Sequence, residues 1–133
     1  MASFLSFMHQ SNANNIAGKN MTQLRILITL IFLGLIGYAV ILVLDGRFDF
    51  VTPFLSTIPA LTWQGHINLD FLSYLVLASV WIAWRSGFTP VGNMLGVLSA
   101  LSGMLFFAPY LLYQIARSNN DPRKLLLGIH AER

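Results

Sequence analysis

Residues 26–44 decide the fold class: they read ILITLIFLGLIGYAVILVL and contain no charged side chain. An α-helix rises about 1.5 Å per residue, so this stretch is about 28 Å long and matches the hydrocarbon core of a bilayer, about 30 Å. Arg25 and Asp45 stand at its two ends. The preceding segment is too long for a signal peptide, and no small-residue cleavage pattern follows. The pattern therefore predicts a retained transmembrane helix.

The composition of the whole chain agrees with a membrane location. Of its 133 residues, 56% are hydrophobic and 10% are charged, whereas soluble domains are about 25% charged. The chain has no cysteine, which excludes disulfides, thiolate metal ligands and thiol nucleophiles. The net charge of +3 comes from residues at the edges of apolar runs, where membrane proteins keep them. We expect a lipid bilayer as partner and no nucleic acid, which requires a clustered basic surface.

Two further spans are predicted, at 67–84 and 91–116. The uncharged stretch 71–84 covers only about 21 Å, so a complete span must begin near Ile67 and must include Asp70. Trp84 and Arg85 at its end are typical of a membrane interface. Residues 91–116 contain no charge at all. The sequence therefore predicts an all-α integral membrane protein with three transmembrane helices, the first being 26–44.

Residues 48–65 are apolar but interrupted by Pro53 and Pro59. Proline removes a backbone hydrogen bond, which is costly in lipid, so we predict an interfacial or re-entrant segment between the first two spans. The membrane domain then covers 23–116. Before it lies a polar lead, 1–22, whose Ser and Asn residues predict partial disorder. After it lies a basic tail, 117–133.

The charges leave the orientation open. Three spans place the termini on opposite sides, and the positive-inside rule then compares two nearly balanced groups. One group is Lys19, Arg25 and Arg85, and the other is Arg47, Arg117, Arg123, Lys124 and Arg133. If residues 50–65 crossed as a fourth short span, both termini would lie inside, which the charges favour and the prolines oppose.

Asp70 is the main candidate for a polar site. It shares a helix face with Ser73 and Tyr74, and His66 lies one turn earlier. An ionisable side chain within a span is a functional candidate by default. The structural alternative is that Asp70 caps the second helix. One histidine and one carboxylate are too few for a metal site, so we assign no metal and no catalytic residue. The sequence leaves open whether a cofactor is bound.

Small residues recur along the third predicted span at Gly92, Gly96, Ser99 and Gly103. Their spacings of four, three and four place them on one helix face. Such faces allow two helix backbones to approach closely. We therefore predict that this face packs against the first two spans.

Three stretches carry a family resemblance: 68–73 (NLDFLS), 81–85 (WIAWR) and 105–111 (LFFAPYL). They resemble a family of small, uncharacterised three-helix membrane proteins found mainly in bacteria. In that family an aspartate opens the middle helix, a basic residue closes it, and a proline lies late in the last helix. The resemblance covers about 26–116 and implies the fold and a bacterial inner-membrane location, but no reaction.

Three spans enclose little space and expose most of their surface to lipid or to other helices. The leading hypothesis is an accessory or assembly subunit of a larger membrane complex, or a homo-oligomer, without catalysis. The first alternative is a small oligomeric transporter or channel subunit in which Asp70 lines a polar path. The second is a membrane enzyme that acts on a lipid or isoprenoid, with Asp70 as general acid.

Overall fold

The computed structural model describes residues 1–132, and all regular structure in that part of the chain is helical. Two of the helices are long and apolar enough to cross a membrane, which confirms an all-helical chain with membrane-spanning candidates. The elements are α1 (Ala2–Leu44), α2 (Val51–Ser56), α3 (Trp63–Arg85), α4 (Pro90–Ser102), α5 (Met104–Arg117), α6 (Pro122–Leu127) and a terminal 3₁₀ helix (Gly128–Glu132).

Helix α1 is continuous over 43 residues, about 64 Å or twice the thickness of a hydrocarbon core. The prediction of partial disorder in the lead 1–22 is therefore wrong. The chain has no proline before Pro53 and no glycine before Gly18, and each residue added to an existing helix gains a backbone hydrogen bond. The side chains from Ser11 to Asn15 are all exposed, and the helix continues through them without a break.

Helix α3 begins at Trp63, four residues before the predicted start. The side chain of Thr62 accepts a hydrogen bond from the amide of Gly65 at 3.2 Å, which is a standard N-cap. The early start places His66 in the first turn and Asp70 near the end of the second. The interpretation of Asp70 as the cap of this helix is wrong, because Thr62 performs that role.

The predicted third span, 91–116, is not one helix. It is interrupted at Gly103, whose backbone adopts φ 60° and ψ −139°. Glycine enters this part of conformational space because it has no Cβ. The two resulting helices, α4 with 13 residues and α5 with 14, are about 20 Å and 21 Å long. Neither is long enough to cross a bilayer alone.

Helix α4 runs antiparallel to α3. The small residues of α4 and its C-cap lie beside residues of decreasing number in α3 and its C-cap, in the pairs Gly92–Ser86, Gly96–Ser79 and Gly103–Leu75. Helix α5 then runs in the direction opposite to α4. Gly103 lies beside Leu75, and four residues later the Phe107 ring lies 6.0 Å from the ring of Trp81, which is nearer the end of α3. Helices α4 and α5 therefore form a hairpin whose tip is Gly103.

Helix α1 packs against α5 rather than against α4. The buried cluster consists of Met21, Ile28, Ala108, Ile115 and Leu125. Near it, the Arg25 guanidinium donates a hydrogen bond to the Asn120 side chain at 2.8 Å. The start of the apolar stretch of α1 and the end of α5 therefore lie at the same end of the bundle.

The two ends of the bundle differ in charge. We call the end that carries Arg25, Arg85, Arg117 and the tail the basic end, and the end that carries Leu44 and Trp63 the distal end. At the distal end the Asn68 amide of α3 donates hydrogen bonds to Thr57 Oγ1 at 2.7 Å and to the carbonyl of Phe54 at 3.1 Å. These bonds hold α2 and the turns after it against α3.

Candidate functional site

The predicted polar face of α3 lies on the outside of the bundle. Asp70, Ser73 and Tyr74 are all exposed, and Tyr74 keeps 65% of its accessible surface. The Ser73 hydroxyl donates to the carbonyl of Leu69 at 3.0 Å. Within residues 1–132 the Asp70 carboxylate makes neither a hydrogen bond nor an ion pair. The structure therefore leaves an unpartnered carboxylate on a helix that is apolar enough to span a membrane.

The depth of Asp70 along α3 follows from helix geometry. Asp70 lies seven residues after Trp63, which places it about 10 Å along the helix axis. Arg85, at the other end of α3, is about 22 Å further on. Asp70 thus lies inside α3 and not at its end.

His66 is exposed and its ring meets that of Trp63 edge to face at 5.9 Å. Although it lies one turn before Asp70, the two side chains share no hydrogen bond in the described residues. In residues 1–132, no group of three or more His, Cys, Asp or Glu side chains is placed to hold a metal ion. The structure therefore gives Asp70 and His66 a common face but no mutual hydrogen bond.

The small-residue face is buried against α3. Gly92, Gly96, Ser99 and Gly103 are all buried, and the Ser99 hydroxyl has no hydrogen-bond partner in the described residues. A Cβ on Gly96 would lie 2.7 Å from the carbonyl oxygen of Ser79. The packing against the second predicted span is therefore present. The expected packing against the first is not, because the hairpin presents α5 to α1.

The sequence interpretation missed a second polar assembly, at the end of α3. Arg85 is only 8% exposed, and its guanidinium donates to the carbonyls of Leu125 and, at 3.2 Å, of Lys124. The Trp81 indole donates to the carbonyl of Leu126 at 3.1 Å. These bonds fix α6 against the end of α3.

The last residues of the tail continue this contact. The His130 ring stacks on Trp84 with centroids 4.4 Å apart, and its Nε2 lies 2.9 Å from the Trp84 carbonyl oxygen. We call the segment 122–132, which covers the end of α3, the tail clasp. One sequence signal for it exists: Asp121-Pro122 is a helix start, and the Asp121 carboxylate accepts from the amide of Arg123 at 2.9 Å.

Comparisons of the chain with family models, with curated proteins and with solved structures find no match. The resemblance to small three-helix bacterial membrane proteins therefore stays a prediction.

Proposed function

We propose that α1 and α3 cross the membrane and that the α4–α5 hairpin enters from the basic end and returns to it. This disposition puts both termini on one side, whereas three complete spans put them on opposite sides. It replaces the third span with a re-entrant hairpin, because each arm is about 10 Å too short to cross.

The charges support this disposition. Within residues 1–132, Arg47 is the only basic residue at the distal end, and the basic end carries Lys19, Arg25, Arg85, Arg117, Arg123 and Lys124. The conflict in the positive-inside count for three spans disappears. The basic end then faces the cytoplasm, and a bacterial inner membrane is the location that we propose.

We infer that the protein is a non-catalytic accessory or assembly subunit that binds another membrane helix through α3. The observation that carries this inference is the exposed, unpartnered carboxylate of Asp70 inside a span. Ionisable groups within spans usually face protein or water rather than lipid tails, because exposure to hydrocarbon is costly. A second helix seated on Asp70, Ser73 and Tyr74 would supply hydrogen-bond partners and remove the carboxylate from lipid.

The exposure of the spans agrees with such a contact. In α1 and α3, only 6% of the most apolar stretch is buried inside the chain. Most of the surface of both helices is therefore available to lipid or to partner helices.

Site-specific crosslinking tests this function. A photo-reactive phenylalanine analogue at Tyr74 should give a discrete protein adduct in native membranes, and the same analogue at Met94, on exposed α4, should not. Asp70→Leu should abolish the adduct while leaving the amount of inserted protein unchanged. The absence of an adduct at Tyr74, or an equal adduct at Met94, would overturn the proposed contact.

A transporter or channel subunit is the second candidate. It is favoured by the position of one carboxyl and two hydroxyl groups on a single exposed face, with His66 one turn away. Such a path forms only between copies of the chain. An adduct at Tyr74 with twice the mass of the protein would support this candidate over a subunit of a mixed complex.

A further inference from the structure

The basic end contains a polar cleft beneath the tail clasp. Its volume is about 480 Å³, and its lining includes Arg85, Gln114, Arg117, Lys124 and Glu132. The three cations come from the last residue of α3, the last residue of α5 and helix α6. Residues far apart in the chain are thus brought to one cavity by the return of α5 along α3.

Within residues 1–132 the positive charge of this cleft is not balanced by carboxylates. Glu132 is its one carboxylate in the described residues, and it makes no ion pair with the three cations. The Arg47–Asp45 ion pair, with a nitrogen–oxygen distance of 3.5 Å, lies at the distal end. Three cations around a small cavity repel one another, and a bound anion would relieve that repulsion.

The donors in the cleft suit a phosphate group. Two nitrogens of the Arg85 guanidinium donate hydrogen bonds to carbonyls of the tail clasp, and these bonds fix the orientation of the guanidinium. Its third nitrogen has no acceptor in residues 1–132. Arg117 lies over the Tyr113 ring at 5.8 Å, so its position is also restricted. A guanidinium fork and an ammonium group are the usual protein partners of phosphate oxygens.

We propose that this cleft binds the phosphate of an anionic phospholipid headgroup. Arg85 and Arg117 are the points where α3 and α5 end, which is the level of the headgroups in the proposed membrane disposition. The cytoplasmic leaflet is rich in anionic lipid, and basic residues beside a span are attracted to it. The inference rests on that disposition but not on the accessory role of α3.

The test uses full-length protein in nanodiscs of phosphatidylcholine with a small fraction of phosphatidylglycerol, and native mass spectrometry identifies the lipid retained. The wild type should retain phosphatidylglycerol selectively. The double variant Arg117→Gln, Lys124→Gln should lose about tenfold of that preference. Both side chains are exposed, so the fold should survive. The matched control Arg47→Gln, at the distal end, should retain the wild-type preference.

Inorganic phosphate at millimolar concentration distinguishes the two sources of the group. If the lipid is the ligand, the protein should retain phosphatidylglycerol when no phosphate is added, and a protein that binds added phosphate but retains no phosphatidylglycerol would contradict the proposal. Absence of selectivity in the wild type, or an equal loss in Arg47→Gln, would each overturn the proposal. The double variant should still form the Tyr74 adduct, so failure here and failure of the accessory role are measured separately.

Discussion

Gly96 of α4 lies directly against the backbone of Ser79 in α3. A Cβ added to Gly96 would stand 2.7 Å from the Ser79 carbonyl oxygen and 3.1 Å from the Ser79 hydroxyl. Because the first of these atoms belongs to a helix backbone, no side-chain rotation relieves the contact. The approach of α4 to α3 therefore depends on glycine at this position, and the contact is internal to the chain.

Gly96→Leu should destabilise the isolated protein by about 1–3 kcal/mol or more, as overpacking of a tight contact does. The larger side chain would push the hairpin away from α3. The stability is measured by thermal unfolding in detergent, followed by size-exclusion chromatography. Leu98→Phe, at a residue 39% exposed, is the matched control and should have little effect. Equal stability of the two variants would contradict the packing described for α4.

Gly103→Ala should cost about 1–3 kcal/mol for backbone strain alone. The nearest side-chain atoms, from Leu75 and Phe71, lie 3.6 and 3.9 Å from the added Cβ, so no steric clash contributes. Ser102→Ala, one residue earlier and exposed, is the control in the same unfolding assay. If Gly103→Ala has wild-type stability, the chain does not require a positive φ at the hairpin tip.

The hairpin predicts the accessibility of single cysteines introduced into this cysteine-free chain. Cysteines at Ser11 and Arg123 should react with a membrane-impermeant reagent from the same side, and a cysteine at Arg47 should react from the other. The measurement is labelling of intact cells and of inverted vesicles. Labelling of positions 11 and 123 from opposite sides would contradict the hairpin and support three complete spans.

Gly128→Val should release the tail clasp. Gly128 has φ 56°, and an added Cβ would overlap the Arg85 carbonyl oxygen, so the tail has to leave the end of α3. Trypsin should then cleave after Arg123 and Lys124 faster, by about tenfold, as detected by mass spectrometry of the fragments. Ala131→Val, in the same segment, is the control and should be cleaved at the wild-type rate. Unchanged cleavage of Gly128→Val would show that the tail does not depend on this contact.

One part of the candidate site could be predicted from the sequence, and two could not. Helix periodicity placed Asp70, Ser73 and Tyr74 on one face, and the structure keeps all three exposed there. The interpretation of Asp70 as the helix cap is wrong, because α3 begins at Trp63 and the side chain of Thr62 accepts the hydrogen bond from the amide of Gly65. Arg85 was interpreted as an interface residue, and nothing in its neighbours along the chain indicates the carbonyls of Lys124 and Leu125 that it binds.

The sequence by itself determined the helical class and two long apolar segments, which lie in α1 and α3. These properties depend on the length of an uncharged run, since a backbone in lipid must satisfy its hydrogen bonds within the same segment. Only the tertiary structure decided the turn at Gly103, the pairing of α5 with α1 and the seating of the tail on Arg85. The length of an apolar run determines how long a helix can be, but not where the chain turns or what the helix packs against. In this protein the turn depends on the φ of Gly103, and the seating of the tail depends on contacts between residues about 40 positions apart.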